Sequence, residues 1–381
     1  FESARSYAMA VDRLGNAYVT GAGSGRGGSD YITVKYDTNG VQLWVARYDG
    51  GAQDGAISVA VDGSGDVYVT GSSMNTLTTD FATVKYDTNG VQLWVARYDG
   101  GGHDNAVSVA LDGSGNVYVA GHSSTLLGGL ADYVAIKYDA DGNQVWLVRY
   151  DSGRHDQAAA ALVDSSGNIY IAGSTAVGSV TSDYVTVKYN AAGLQLWSAR
   201  YDGGGQDVAT DLALDSSGHV YVTGYGFNGL SYDHATVKYD VGGNQLWICR
   251  HDSGGDDLAY DLSLDALGNI YVAGEDNLPG RQGSDLVVSK YDSNGNELWS
   301  TRYDNGDDDL AWSVAVDASG FVYVTGGSKG SLPGDHDFAT AKLDGAGNQL
   351  WVVRYDFNGG WDFPDSLVLD AAGNVYVTGC S

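Results

Sequence analysis

The sequence has few of the residues that mark disulfide frameworks, nucleic-acid binding or membrane spans. Only three prolines and two cysteines, Cys249 and Cys380, occur in 381 residues. Two cysteines do not make a disulfide framework, and no apolar run approaches the ~18 residues of a membrane helix, so we expect no membrane insertion. Lys and Arg number 20 against 48 acidic residues, and the net charge is −28. A chain this acidic repels phosphate backbones, which excludes nucleic acid as a partner.

Glutamate is almost absent as well. The 48 acidic residues comprise three glutamates, Glu2, Glu275 and Glu297, and therefore 45 aspartates. Aspartate suits turns and hard-cation sites because its short carboxylate reaches nearby backbone N–H groups and offers oxygen ligands. The charge favours cations or neutral glycans as partners. Together with 56 glycines and 27 tyrosines, it is typical of bacterial surface proteins, and we expect an extracellular or cell-surface location.

One stretch, TVKYDTNGVQLWVARYDGG, occurs twice without change, at residues 33–51 and 83–101. A tryptophan recurs every 50 to 52 residues, at Trp44, Trp94, Trp146, Trp197, Trp247, Trp299 and Trp351. Each repeat carries four short apolar segments, which in the second repeat are residues 56–62, 67–71, 81–87 and 92–98. Their Val, Tyr, Thr and Trp content and their Gly or Asp borders predict β-strands.

Asp-x-x-Gly joins the first segment to the second and the third to the fourth, as at residues 62–65 and 37–40. Such turns make antiparallel hairpins, so each repeat is a four-stranded meander. Meanders cover each other's apolar faces when they pack radially, which predicts an all-β fold, a single β-propeller domain over residues 1–381. Seven complete repeats and one half repeat are present. We favour eight positions around the axis over seven, with self-association possible through the incomplete blade.

The repeat pattern GNVYVTG…DYxTVKYDxxGxxLWxxRY resembles the bacterial SBBP-type β-propeller repeat family over the whole chain. The resemblance implies a propeller fold and a surface or secreted protein. The segment at residues 292–299 is also similar to the tryptophan motif of quinoprotein dehydrogenase propellers. The chain has no adjacent cysteine pair, and we expect no organic cofactor.

Aspartates recur at three positions in the longer connections, which we expect at one face. One set opens the inner strand: Asp54, Asp104, Asp156, Asp207, Asp257, Asp309 and Asp362. A second follows the fourth strand: Asp49, Asp99, Asp151, Asp202, Asp252, Asp304 and Asp356. A third precedes the third strand: Asp30, Asp80, Asp132, Asp183, Asp233, Asp285 and Asp337.

Two interpretations of these carboxylates compete. In the first, they pair with a recurring lysine of strand three and a recurring arginine of strand four. In the first repeat these bases are Lys35 and Arg47. In the second, the excess carboxylates hold Ca²⁺, which prefers oxygen ligands in flexible loops. The set beginning with Asp54 is then the predicted metal site, because like charges that converge on a channel mouth repel each other unless a cation neutralises them.

Function should lie where the repeats differ, and the differences are aromatic. The candidate ligand-binding residues are Tyr225, Phe227, Tyr232, Tyr260, Trp312 and Trp361. Exposed aromatic faces beside carboxylates suit sugar binding, whereas large aromatics also pack against their own loops. His103, His122 and His155 could form a metal or acid–base group.

These features predict a binding or scaffold protein that engages a glycan or a protein through its acidic loop face. Two alternatives stay open. One is a polysaccharide lyase or hydrolase with a His, Tyr or Asp site in the loops, although the sequence contains no His-Glu-x-x-His motif. The other is a subunit of a surface filament or layer.

Overall fold

The computed structural model describes residues 4–25, 27–75, 77–125, 129–178, 181–281, 283–306, 308–330, 336–357 and 360–380. Every regular element within these ranges is a β-strand. No helix of the length and apolarity needed to cross a membrane occurs among the described residues.

The strands form seven four-stranded antiparallel sheets and one two-stranded sheet, each in sequence order. The first four blades contain β1 Ala4–Val11, β2 Ala17–Ser24, β3 Ser29–Tyr36, β4 Gln42–Tyr48, β5 Asp54–Val61, β6 Val67–Met74, β7 Thr79–Tyr86, β8 Gln92–Tyr98, β9 Asp104–Leu111, β10 Val117–Ser124, β11 Ala131–Tyr138, β12 Gln144–Tyr150, β13 Asp156–Val163, β14 Ile169–Ala176, β15 Ser182–Tyr189 and β16 Gln195–Tyr201. The others contain β17 Asp207–Leu214, β18 Val220–Phe227, β19 Tyr232–Tyr239, β20 Gln245–His251, β21 Asp257–Leu264, β22 Ile270–Asp276, β23 Asp285–Tyr291, β24 Glu297–Tyr303, β25 Leu310–Val316, β26 Val322–Lys329, β27 His336–Leu343, β28 Gln349–Tyr355, β29 Phe363–Leu369 and β30 Val375–Cys380. The predicted all-β propeller, with seven complete repeats and a half repeat, is confirmed.

The blades belong to two compact units. One comprises Phe1–Ala176, Thr186–Ser198 and Asp370–Asn374, and the other comprises Val177–Val185, Ala199–Leu369 and Val375–Ser381. In the first unit the first strands β1, β5, β9 and β13 lie side by side, and in the second unit β17, β21, β25 and β29 do the same. The first strands are therefore the inner strands. The single domain and the eight positions around an axis stay predictions.

The tight turns have the predicted aspartate chemistry. In the second blade the Asp62 carboxylate accepts hydrogen bonds from the N–H groups of Ser64 (2.9 Å) and Asp66 (3.0 Å). Gly65, which donates its N–H to the Asp62 carbonyl, has a φ of +89°, a conformation that side chains disfavour. Each Asp-x-x-Gly turn thus fixes the register of its hairpin.

The strand-three lysines belong to these tight turns and not to the loop face. Lys85 lies 3.1 Å from Asp66 and 5.0 Å from the ring centroid of Tyr68. The buried Tyr68 hydroxyl donates to Asp62 at 3.1 Å. The same placement of lysine over tyrosine recurs in the other blades. The expectation that these lysines neutralise the aspartates of the longer loops is therefore wrong.

In five of the blades the recurring tryptophan packs on the tight turn of the next blade. The Trp44 indole N–H donates to the carbonyl of Thr88, in a tight turn of the second blade, at 3.0 Å. A Cβ on Gly90 would lie 2.8 Å from the indole, so only glycine fits beneath the ring. Trp94 and Trp247 make the same contact with Gly142 and Gly295. Identical sequences therefore provide identical junctions between blades.

Neighbouring inner strands are joined side by side at one position that carries a polar side chain in several repeats. In the first unit the Ser58 hydroxyl accepts the N–H of Val109 at 3.2 Å. In the second unit aspartates replace the serine: Asp211 accepts the N–H of Leu262, and Asp261 accepts that of Val314. The two carboxyls also hydrogen-bond to each other. Burial, and then the Asp261 charge, raise the pKa of Asp211 well above its usual range.

We expect Asp211→Asn to stabilise the protein at neutral pH. A raised pKa means that Asp211 holds its proton more tightly in the folded state than in the unfolded state. The stability that this protonated carboxyl contributes is complete at low pH and is lost as pH rises through the folded-state pKa. The asparagine mimics the protonated form and does not titrate. Chemical denaturation from about pH 5 to 8 should therefore show an advantage of the variant that grows with pH, to the order of 1–3 kcal/mol.

Asp62→Asn is the matched control, and we expect it to destabilise the protein at neutral pH. Although burial opposes it, hydrogen bonds from Ser64 and Asp66 lower the pKa of Asp62. Its stabilisation is present at neutral pH and lost as pH falls, so the cost of this substitution should fade in acid. Parallel pH profiles for the two variants would contradict the assignment of the Asp211–Asp261 pair.

Candidate functional site

The three predicted sets of aspartates meet in groups of three at the loop ends of the blades. In each group one carboxylate oxygen per residue lies within 4.8 Å of the other two. The first five triads are Asp30–Asp49–Asp54, Asp80–Asp99–Asp104, Asp132–Asp151–Asp156, Asp183–Asp202–Asp207 and Asp233–Asp252–Asp257. All seven members of the set predicted to bind metal are buried: Asp54, Asp104, Asp156, Asp207, Asp257, Asp309 and Asp362. Each triad therefore combines the three sets locally.

The strand-four arginines are the bases that reach these aspartates. Arg97 lies 2.9 Å from Asp80, and it also donates to the Tyr48 hydroxyl of the preceding blade and to Ser73. The same pairing is present at Arg47–Asp30, Arg149–Asp132, Arg200–Asp183, Arg250–Asp233, Arg302–Asp285 and Arg354–Asp337. Most repeats thus offer one arginine for three loop-face carboxylates, whereas in the sixth Arg281 also pairs with Asp285 and Asp304.

The inner-strand aspartate of each triad shapes the preceding loop. The Asp54 carboxylate accepts the N–H of Gly50 at 2.6 Å, and a Cβ at position 50 would lie 2.7 Å from the other carboxylate oxygen. In the second unit burial raises the pKa of Asp207 and Asp257 to about 6, although each accepts a backbone N–H. These loops hold carboxylates close together at a cost in solvation.

Two of the predicted aromatic residues form a stacked pair on neighbouring inner strands. The ring centroids of Tyr260 and Trp312 are 4.7 Å apart with an interplanar angle of 28°. Tyr260 donates its hydroxyl to Glu275 at 2.6 Å, and burial raises the pKa of that glutamate. Trp312 remains 36% exposed. The pair therefore presents an aromatic face beside a carboxyl group.

Three further predicted residues extend this cluster. Tyr232 contacts Tyr225 edge-on with centroids 5.6 Å apart, and it lies 5.3 Å from Phe227. Its hydroxyl donates to Gln206 at 2.7 Å. Strand β18, which carries Tyr225, packs against strand β21, which carries Tyr260. We define the aromatic cluster as Tyr225, Phe227, Tyr232, Tyr260 and Trp312.

Trp361 belongs to a separate group in the seventh and last sheets. Its exposed ring lies 5.1 Å from that of His336 and 5.4 Å from that of Phe363. Sequence reasoning missed His336 here and Glu275 in the aromatic cluster. Glu275 is one of only three glutamates and replaces the serine that the second repeat has at Ser72, so a search for breaks in the repeat that included acids would have found it.

The three predicted histidines make different contacts. His103 contacts the Thr79 hydroxyl at 3.4 Å, and the His155 ring accepts the N–H of Ala131 at 3.1 Å. Burial and then the neighbouring His155 lower the pKa of His122 to about 4. His122 is therefore neutral at physiological pH.

No family model matches the chain. An uncharacterized WD repeat-containing protein, L264, of Acanthamoeba polyphaga mimivirus is 27% identical over 120 residues. That match covers 26% of this chain and only 9% of the viral protein.

Solved structures with the same architecture cover nearly the whole chain. Sqt1 from Chaetomium thermophilum matches with a TM-score of 0.65 and 11% identity over 99% of this chain and 93% of its own. The periplasmic gluconolactonase PpgL of Pseudomonas aeruginosa matches with a TM-score of 0.55 and 14% identity over all of both chains. The β-propeller domain of the trilobed protease from Pyrococcus furiosus matches with a TM-score of 0.52 and 9% identity over 94% of this chain and 97% of its own. These similarities show the fold alone, since the three named proteins differ in function.

We expect Tyr260→Phe to destabilise the protein by about 1–2 kcal/mol at neutral pH, because the carboxylate of Glu275 loses a hydrogen-bond donor. The raised pKa of Glu275 then rises further, so the loss should shrink as acid protonates this carboxyl. Denaturation curves at about pH 4 and pH 8 measure the difference. Tyr225→Phe, for which no hydroxyl hydrogen bond is present among the described residues, serves as the control. Equal effects of the two variants would contradict the assigned bond.

Proposed function

We propose that this protein is an extracellular or cell-surface scaffold that binds a neutral glycan at the aromatic cluster of its acidic loop face. The observation that supports this best is the stacked Tyr260–Trp312 pair, which is partly exposed beside Glu275. A pyranose presents C–H groups to such a face and hydroxyls to the adjacent polar groups. The aspartate-rich composition and the resemblance to SBBP-type repeats support the location.

Charge narrows the class of glycan. The net charge of −28 repels uronic acid and sulfate groups. Neutral polysaccharides avoid this repulsion, and their hydroxyls can donate to the carboxylates that surround the cluster. We therefore propose neutral hexose polymers as ligands and acidic polymers as non-ligands.

The enzymatic alternative makes a different prediction for the same residues. A lyase or hydrolase needs an acid or base in contact with the substrate, and Glu275 with its raised pKa and its Tyr260 partner is the group that would serve. Binding without turnover supports the scaffold, whereas release of reducing ends would support the enzyme.

We expect Trp312→Ala to weaken retention by neutral polysaccharides at least about tenfold, equivalent to about 1.4 kcal/mol, because it removes one face of the stacking surface. Affinity electrophoresis through gels that contain a panel of neutral and acidic polysaccharides measures the change. The reducing-sugar content of the same incubations tests for turnover.

Leu267→Ala is the control for this experiment. Leu267 is an exposed apolar residue in the tight turn at the other end of strand β21, which also carries Tyr260. This variant should be retained like the wild type. If no neutral polysaccharide retards the protein, or if Trp312→Ala and Leu267→Ala behave alike, the glycan proposal fails and a protein ligand becomes the better hypothesis.

A second candidate function, assembly with a second copy of the chain, rests on the seventh blade. Val353 and Tyr355 of β28 are 60% and 51% exposed, whereas Ala46 and Tyr48, at the same positions of the first blade, are 6% and 8% exposed. In the first blade these positions share one apolar core with Val84 in strand three of the next blade. The last sheet has only β29 and β30 in the described residues.

A groove of 390 Å³ lies on this uncovered face, between the seventh blade and the two-stranded sheet. Its walls include Phe338, Val353, Tyr355 and Val377. In the first blade the equivalent face is covered by a strand of the next copy of the repeat. We therefore propose that the partner is a second copy, which buries the apolar side chains.

We expect the wild type to associate with rising concentration and Val353→Asp to remain monomeric, because a buried unpaired charge opposes the contact. Sedimentation velocity over about a hundredfold range of concentration measures the states. Val45→Asp changes an exposed valine in the outer strand of the first blade and should associate like the wild type. A wild type that is monomeric throughout would contradict the assembly proposal.

A further inference from the structure

The first triad contains carboxylate oxygens that no protein donor satisfies. Asp54 is 1% exposed and Asp30 is 4% exposed. One oxygen of Asp54 accepts the Gly50 N–H, and one oxygen of Asp30 pairs with Arg47 at 2.9 Å. The second oxygen of each is buried and has no hydrogen-bond partner among the described residues. A buried carboxylate oxygen in this state requires a hydrogen-bond donor or a cation from outside the protein.

The fourth triad has the same feature. One oxygen of Asp207 accepts the Gly203 N–H at 2.6 Å, and the other is buried without a donor. Asp207 itself is fully buried. Asp202 is exposed and accepts the N–H of Gly204 with one oxygen, so its side chain is anchored at the mouth of the triad.

Two other triads show how the chain satisfies this oxygen without an ion. The residue after the first loop aspartate is glycine in the first, second and fourth triads, and one oxygen of Asp54, Asp104 and Asp207 lacks a donor among the described residues. It is Ser152 in the third triad and Ser253 in the fifth. The Ser152 hydroxyl donates to Asp156 at 2.7 Å, and the Ser253 hydroxyl donates to Asp257 at 2.6 Å. A serine therefore supplies the donor that the glycine triads lack.

We propose that the three glycine triads, the first, second and fourth, each bind one Ca²⁺ ion, and that the serine triads do not. Three carboxylates and one paired arginine leave a charge of −2, which one divalent cation neutralises. All ligand atoms are oxygens in glycine-rich loops, a combination that suits Ca²⁺ better than Mg²⁺ with its strict octahedral geometry. Since Asp30 and Asp49 belong to the first blade and Asp54 opens the second, the ion joins neighbouring blades.

Calcium titration of the full chain after chelator treatment tests the proposal by stoichiometry. Asp207→Asn should lower the number of tightly bound ions by one, because it removes a charged ligand with little change in shape. Ser152→Gly should raise the number by one, since it frees the oxygen of Asp156 in a triad that is already assembled. Asp156→Asn, in a serine triad, should leave the number unchanged. Unchanged stoichiometry in both Asp207→Asn and Ser152→Gly would overturn the proposal.

Melting temperatures separate ion binding from a purely structural role of the aspartate. We expect Ca²⁺ to raise the melting temperature of the wild type by several degrees relative to chelator. Asp207→Asn should melt below the wild type in Ca²⁺ but no lower than the wild type in chelator, where the substitution relieves carboxylate repulsion. A variant that is less stable in both conditions would show a structural role only, and an equal shift with NaCl at the same ionic strength would show charge screening. Either result refutes the proposed sites.

Discussion

The contact between a tryptophan and the glycine of the next blade's tight turn, which five blades make, is the constraint on which the rest of the structure depends. The indole of Trp44 covers Gly90 and donates to the carbonyl of Thr88, so the turn of one blade must have the same shape as every other. That shape comes from the Asp-x-x-Gly sequence. The constraint explains why nineteen residues can recur unchanged, and why loops at the opposite ends of the strands are free to vary.

The sequence predicted the parts of the fold that depend on one repeat at a time. Strand positions, Asp-x-x-Gly turns and the meander order all follow from local chemistry, and the structure confirms them. Contacts between repeats were harder to infer, because a period gives the position of a residue within its blade but not its partner in the next. The Asp211–Asp261 pair between two blades was therefore not anticipated. The contact of Lys85 with Tyr68 lies within one blade, and it was missed because the turn aspartates and the loop aspartates were not distinguished as partners of the lysine.

The candidate site divides in the same way. Breaks in the repeat identified Tyr225, Phe227, Tyr232, Tyr260 and Trp312, and the structure gathers all five in one cluster. Glu275 breaks the repeat as well, but a search for aromatic residues passed over it. For the aspartates, sequence spacing gave the three sets, whereas their union into triads required the relative position of adjacent blades.

The carboxylates of the loop face are stabilised less completely by protein side chains than those of the tight turns are. At the tight turn of the second blade Asp62 accepts several backbone N–H groups, and Lys85 pairs with the neighbouring Asp66, so these charges are stabilised within one blade. At the loop face of most repeats one arginine serves three carboxylates, and the inner-strand aspartate is buried. A serine hydroxyl satisfies one oxygen at Asp156 and Asp257, but a hydroxyl dipole does not cancel a charge. The repeats with glycine in place of this serine lack even that donor. The stability of their blade junctions must therefore depend on ions or water from the solution.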